Sequence, residues 1–486
     1  MAKGDAEVKW KRLLGVCRRW RDVIVGTPQY WRIINVYSRP DWLNLCLSRS
    51  AGRRALPVSI YFRDSHFSPS LVPLLSQPRY VSYIGLLSFD LGTQSLDALC
   101  NMFIHTRFPN LLTVNVRAVV PRAEPIQRYL GLTAERQPRL ADLALTAIRP
   151  PSDLRMYENL RALKLSSYPW DASFEDLLKL LAACSGQLER LELRGIVPLV
   201  STTASQHQER QIVFPNLKKA HFSHVQPRNA HILSFLRFPS ATDVSLIDDV
   251  SKLQSNEFQN LDAALSALLP TDPTPIIPFL SAITEVEFRA WRTDYVFVGK
   301  SESGHPCLRL QIFRYAAYPV SWDGLTALGL ADLTQLLSRA RVTCFDIKVD
   351  FETLAQEDWD SAFEAFPDLE CLRLSGQGGF EDVFDSLYPY SDTDGVIGTS
   401  EIEAAVGVRC PSLKSIVVGD VIEGESRDDS LLDVILETLH ARAEQGTRLD
   451  RIEIQLLQET DRKHRRRVVK KYVPLFQEVV GEVVFV

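Results

Sequence analysis

A six-residue phrase, two spacers after its first apolar residue and one after its second, returns along most of the chain and limits what it can fold into more than any other feature. It reads VSYIGL from Val81, LLTVNV from Leu111, LADLAL from Leu140, LRALKL from Leu160, LERLEL from Leu188 and LKKAHF from Leu217. It continues as ATDVSL from Ala241, ITEVEF from Ile283, VTCFDI from Val342, LECLRL from Leu369, LKSIVV from Leu413 and LDRIEI from Leu449, with LRLQIF from Leu308 a weaker copy. Several copies share a lead-in: FPNL at Phe108 and at Phe214, FPSA at Phe238, FPDL at Phe366 and CPSL at Cys410. The last spacer of each phrase alternates with two apolar positions, so Lys164, Glu192, His221, Glu287, Asp346, Arg373 and Glu453 must face the other side of a strand.

The starts at 81, 111 and 140, and again at 160, 188 and 217, lie 28–30 residues apart. That interval is at or near the upper end of the leucine-rich-repeat period. Helical patterns fill the gaps. In SFEDLLKLLAAC the residues Phe174, Leu177, Leu178, Leu181 and Ala182 fall on one helical face, and SLDALCNMFIHT, residues 95–106, does likewise. Each unit is therefore strand then helix, and the expected fold class is α/β, a leucine-rich-repeat solenoid with a curved parallel sheet and outer helices. A doubly wound domain would not repeat one phrase with a shared lead-in. About twelve strand steps of ~4.8 Å span roughly 58 Å, a long concave face suited to gripping another protein. Its outward positions Lys164, Arg190, Glu192, Arg194, Lys219, His221, Glu285, Glu287 and Arg289 form a mixed-charge strip and are the expected target-binding residues.

Irregular gaps hold stretches rich in Pro, Gly, Ser or acid, which predicts surface-loop insertions near 200–212, 270–278 and 376–400. Upstream, Trp10 to Ile24 has the spacing of one amphipathic helix, with Trp10, Leu13, Leu14, Cys17, Trp20 and Ile24 as its apolar stripe and Val16 and Val23 widening it. Gly26 is placed as the residue after the helix end, and Pro28 prevents continuation.

The residues VCRRWRD at Val16–Asp22, followed by TPQYW at Thr27–Trp31, resemble the second half of an F-box, the small helical module that docks on the Skp adaptor of cullin ubiquitin ligases. The continuation is similar to that of many fungal F-box proteins, with an L-x-R-S helix ending at Leu47–Ser50 and a following strand carrying Leu56, Pro57, Val58 and Ile60. That family typically carries degenerate leucine-rich repeats downstream. Its module opens with a Leu-Pro segment and a first helix, which MAKGDAEVK before Trp10 does not match, so the resemblance is to a partial F-box over residues 10–60 and, by architecture, over the rest. It implies that Leu13, Val16, Cys17, Trp20, Val23, Pro28 and Trp31 form the module's core and adaptor contact. It further implies a non-catalytic substrate-recognition subunit of a Skp-cullin-F-box type ligase, whose partners are a Skp-type adaptor with its cullin complex and an unknown target protein. The expected domains are a partial F-box-like segment over 1–38, a connecting region over 39–78 and the solenoid over 79–486. The alternative is a leucine-rich-repeat scaffold with no ubiquitin-ligase role.

Composition excludes other classes. With 55 basic against 60 acidic residues, no bulk polyanion partner is suggested, and nucleic acid is not expected. The one dense basic run, DRKHRRRVVKK at 461–471, reads as a solvated face near the last repeat or as a nuclear-import signal. The 8 cysteines form no C-x-x-C pair, which predicts small core hydrophobes in a reducing compartment, cytoplasmic or nuclear. No run of about 18 apolar residues is present, so no membrane partner is expected. GKS at Gly299–Ser301 has Asp294 where a phosphate loop needs its first glycine, and His221, His224 and His231 lack a completing ligand, so neither cofactor nor metal is expected. No G-x-S-x-G elbow occurs, and no enzyme is expected.

Overall fold

The computed structural model describes residues 15–36, 40–50, 57–62, 67–119, 129–199, 211–224, 229–239, 242–249, 268–270, 272–274, 276–290, 294–304, 306–313, 325–391, 406–421, 428–456 and 462–486. It divides into two compact units, Met1–Thr242 and Asp243–Val486. Each is a mixed α/β assembly on mostly parallel strands. No helix among the described residues is long and apolar enough to cross a membrane.

In the first unit, helix α1 (Arg18–Gly26) and a 3-10 turn at Pro28–Trp31 lead into strand β1 (Ile33–Val36). Helix α2 (Pro40–Ser50) and strand β2 (Val58–Phe62) follow. Then come β3 (Ile84–Gly92), α3 (Thr93–His105), β4 (Thr113–Val119), β5 (Asp142–Thr146), β6 (Ala162–Ser173), α4 (Phe174–Cys184), β7 (Arg190–Leu199) and β8 (Lys219–Ser223). Each strand from β1 to β8 pairs in parallel with the next in chain order. Helix α3 packs on β3 and β4, and α4 on β6 and β7. The parallel series thus begins at Ile33, inside the expected helical segment, and residues 39–78 contribute β2 to it rather than a connector.

The phrases supply the ladder. Leu143, Leu163, Leu191 and Ala220 are register partners across four strands, as are Leu145, Leu165, Leu193 and Phe222, and all are buried. The first copy, however, is displaced from its expected place. Leu87 pairs with Val114 and Phe89 with Val116, so the working phrase is Ile84, Leu87 and Phe89, while Leu86 is only half-buried. IGLLSF from Ile84 fits the phrase as well as VSYIGL does, and the ladder takes it, with Leu87 and Phe89 on the core face. Phe89 stacks on Phe62 at 4.8 Å, with Phe67 edge-on at 5.2 Å. The buried face of α4 is Leu177, Leu180, Leu181 and Cys184, not the expected set, which leaves Ala182 exposed and Phe174 half-buried. The helix starts at the expected serine, because the Ser173 hydroxyl and the Asp176 carboxylate satisfy each other's backbone N–H.

In the second unit, β9 (Asp243–Asp249), β10 (Ile283–Ala290), β11 (Asp294–Ser301) and β12 (Pro306–Phe313) precede helix α5 (Leu325–Leu336). Strands and helices then alternate: β13 (Cys344–Asp350), α6 (Gln356–Ala365), β14 (Cys371–Gln377), α7 (Glu381–Leu387), β15 (Ser415–Val421), α8 (Asp428–Glu444), β16 (Leu449–Leu456), α9 (Arg462–Val479) and β17 (Val480–Phe485). Helices α5 to α9 pack each against the next, and β13 to β17 pair in parallel in chain order. One feature breaks the expected run of parallel phrases. Strand β11 lies antiparallel between β10 and β12, so β12 joins β9 while β10 joins β13. Leu308 and Leu310 pair with Val244 and Leu246, which moves the weak copy LRLQIF out of its expected register.

The predicted insertion at 376–400 is in part a helix. Val383, Phe384 and Leu387 of α7 are buried, so its first half is core rather than loop, and residues 392–400 lie outside the described residues. Near 270–278, Ile276 and Ile277 are buried as well. Residues 200–210 lie outside the described residues, and Ile212 pairs with Leu236. The basic run forms the start of α9, whose Val468, Tyr472 and Phe476 turn inward while Arg466 and Arg467 face out.

Arg442 ties the last helices of the second unit together. Its guanidinium is fully buried and donates to the carbonyls of Leu387 (3.2 Å), Arg409 (2.8 Å) and Cys410 (2.9 Å), joining α8 to the end of α7 and to the turn before β15. Arg409 in turn pairs with Asp360 of α6 at 2.7 Å. Removing a donor here strands acceptors in the core, and each costs about 1–3 kcal/mol. Arg442→Met is therefore expected to destabilise the chain by at least about 3 kcal/mol, and Arg442→Lys by less, measured by urea unfolding.

Candidate functional site

Because parallel register partners leave the sheet on the same side, residues between the apolar positions form rows across each unit. In the first unit one row is Lys164, Glu192 and His221, and the row beside it is Asp142, Ala162, Arg190 and Lys219. Arg194 lies next to Ser166 and Ser223 in a third. Lys164 Nζ is 2.8 Å from Glu192 Oε1, and Arg194 contacts the same carboxylate oxygen. Arg190 reaches Asp142 at 3.5 Å. Six of the nine expected target-binding residues are thus brought together, in the first unit.

The other three stand in the second unit. Glu285 pairs with Lys300 at 3.6 Å, and Glu287 contacts Arg289 on its own strand. They border rows that reach much further. Glu285, Cys344, Cys371, Ser415 and Arg451 are successive register partners, as are Glu287, Asp346, Arg373, Val417 and Glu453. Among the described residues, no group of three His, Cys, Asp or Glu side chains is placed to hold a metal ion.

The cysteines correct the expectation of a uniform core set. Cys46, Cys100, Cys184 and Cys410 are buried, but Cys17 is exposed and Cys307, Cys344 and Cys371 are half-buried. Cys344 and Cys371 occupy the same place in VTCFDI and LECLRL, just before the second apolar position. Superimposing the two phrases would have put these thiols side by side on the polar face.

The amino-terminal residues divide sharply. Trp31 is 2% exposed, donates from Nε1 to the Ile24 carbonyl at 2.9 Å and lies 6.0 Å from the Trp42 ring on α2. Ile24 is buried and Pro28 half-buried at the start of its turn. Val16, Trp20 and Val23, by contrast, are 62%, 47% and 49% exposed, and Cys17 is exposed too. Among the described residues the expected buried stripe is therefore reduced to Ile24 on α1, in the last turn, where the Trp31 indole bonds its carbonyl. Trp10, Leu13 and Leu14 lie outside the described residues. Gly26 is the last helical residue and not the left-handed one expected after it. The helix is closed by Thr27, whose hydroxyl donates to the Val23 carbonyl at 2.6 Å and whose N–H donates to that of Ile24 at 3.3 Å.

Set beside protein-family models and curated proteins, the chain matches none of either.

His221 records the electrostatics of the first unit's rows. Burial pushes its imidazole below the ordinary value, Arg194, Lys164 and His224 push the same way, and Glu192 opposes them. The unfolded imidazole takes up a proton near pH ~6.5 while the folded one still resists it, so stability falls as pH drops through that value. On passing from pH ~7.5 to ~5.5 the wild-type chain is expected to lose more stability than His221→Gln, read from urea midpoints; an NMR titration of Arg194→Glu should show the His221 pKa moved up.

Proposed function

We propose that this chain is a non-catalytic recognition subunit, of the Skp-cullin-F-box ligase type, whose two units are runs of degenerate leucine-rich repeats that hold a target protein on their polar faces. The repeat reading rests on the buried phrase positions, the parallel pairing in chain order and the helices that follow β1, β3, β6 and each strand from β12 to β16. It accommodates the antiparallel strand β11 as an insertion between phrases. The polar rows carry both signs of charge at close spacing, which favours a protein partner with complementary patterning, since complementarity sets orientation and association rate more than raw affinity.

The observation that carries the adaptor half of the proposal is the exposure of Trp20 and Val23 on α1 and of Val16 in the turn just before it. Two large apolar side chains on one short helix and a third just before it, beside a buried Trp31, suit a surface that a partner covers. They coincide with the residues through which the chain resembles the F-box. A leucine-rich-repeat scaffold without a ligase role is the second reading, favoured by the direct entry of Trp31 into β1, which makes α1 the cap of the first strand.

Capture of a purified Skp-type adaptor by the full chain tests the choice. Under the ligase reading the wild-type chain binds, and Trp20→Asp abolishes binding with little change in melting. Trp31→Ala is expected to cost about 3–5 kcal/mol of stability under either reading, because its ring is buried and its N–H bonded. A well-folded wild-type chain that does not bind the adaptor returns the function to the scaffold. For the target face, Arg190→Glu with Arg194→Glu is expected to leave melting and adaptor capture unchanged while abolishing recovery of the principal co-purifying target; Arg289→Glu tests the second unit separately.

A further inference from the structure

The polar face of the second unit carries a pair of thiols that no recognition role requires. Cys344 of β13 and Cys371 of β14 are direct register partners, flanked in the same row by Glu285 of β10 and Ser415 of β15. Neighbouring strands lie ~4.8 Å apart, within the 4.4–6.8 Å Cα separation that a disulfide spans. Both thiols are half-buried, open to a small reagent. Their surroundings differ. Cys344 has Glu285 as its register partner on β10, whereas Cys371 has Ser415 as its register partner on β15 and Arg373 two residues along its own strand.

We propose that Cys344 and Cys371 form a peroxide-oxidisable dithiol, with Cys371 the attacking thiolate and Cys344 the resolving thiol, which closes to a reversible disulfide between β13 and β14. Contact with the Cys344 thiol, followed by the Ser415 hydroxyl and Arg373, draws the Cys371 thiol down to about 6 against the effect of its burial. The neighbouring Cys371 thiol, followed by burial, drives Cys344 upward. The charged groups facing the pair are Glu285 from β10, Asp346 from β13 and Arg373 from β14, and the balance at Cys371 favours the anion.

The chemistry balances with hydrogen peroxide as oxidant. The Cys371 thiolate attacks one peroxide oxygen, the O–O bond breaks, and the departing hydroxide takes a proton to leave as water, giving the Cys371 sulfenic acid. Cys344, losing its proton, attacks that sulfur; the S–O bond breaks, hydroxide leaves and is protonated to a second water. Two thiols and one peroxide become one disulfide and two waters. The strands must close slightly to bring the Cβ atoms to disulfide distance, and such strained bridges are the readily reduced ones.

Full-length chain treated with hydrogen peroxide, alkylated and digested is expected to yield a peptide joining Cys344 to Cys371, two hydrogens lighter than its parts and released by dithiothreitol. In Cys344→Ser, dimedone should label Cys371, and Cys371→Ser should give neither product; circular dichroism of both variants checks folding. Without peroxide, iodoacetamide should modify Cys371 with a pH midpoint below the ~8.5 of a free thiol, and Arg373→Ala should raise it. The proposal is overturned if both thiols remain alkylatable after exposed Cys17 has been oxidised, if Cys371 stops at sulfenic acid with Cys344 free, or if Cys371 alkylation has the midpoint of a free thiol. None of these readouts depends on adaptor or target binding, so the recognition proposal can fail while this one stands.

Discussion

Everything in both units depends on parallel register, the alignment that puts the second and third apolar residues of each phrase directly beside those of its neighbour. Side chains alternate across a strand with a period of two, so a slip of one residue would carry a whole apolar set to the open side. Leu143, Leu163 and Leu191 are locked against such a slip because each has an apolar partner on either side, Val114 and Ala220 closing the row. The polar rows follow without further instruction. Once the apolar residues are in line, the residues between them must also line up, which is how Lys164 comes to face Glu192 and Cys344 to face Cys371.

The same physics explains which elements are legible in the sequence. Strands with a complete phrase and an FPxL lead-in, such as LERLEL after the helix of SFEDLLKLLAAC, announced both their existence and their buried positions. Where the phrase was ambiguous, alternation alone could not decide: Val81, Ile84 and Leu86 fit it as well as Ile84, Leu87 and Phe89, and only pairing with β4 selects the latter. Strand β11 was not legible because an antiparallel insertion needs no phrase of its own, merely a short return from β10 and another into β12. The acid-rich run after Gly376 looked like loop, yet Val383, Phe384 and Leu387 sit at helical spacing and α6 and α8 provide surfaces to bury them.

At the amino terminus, composition and structure pull apart. An apolar stripe predicts burial only if something lies opposite it. Trp31 has Trp42 and the Ile24 carbonyl, and is buried; Trp20 has no such enclosure among the described residues. Exposure of Val16, Trp20 and Val23 is a cost in water of the kind that proteins rarely concentrate without a covering surface. This is why the exposed helix and the buried turn beside it must be weighed separately, although the sequence presents them as one motif.

The polar faces also differ from the core in how cheaply they can change partner. Lys164, Arg194 and Arg190 are all well exposed and paired within their own sheet, and pairs of that kind contribute only about 0–1 kcal/mol. Exchanging such a pair for one with an incoming protein therefore costs little, while a mismatched charge would remain repulsive. Glu192 and Glu287 are each less exposed than the bases they hold, so the acids are fixed and the bases free to reach outward. A face built this way discriminates by where its cations can go, and its selectivity is carried by the spacing of the anchored acids.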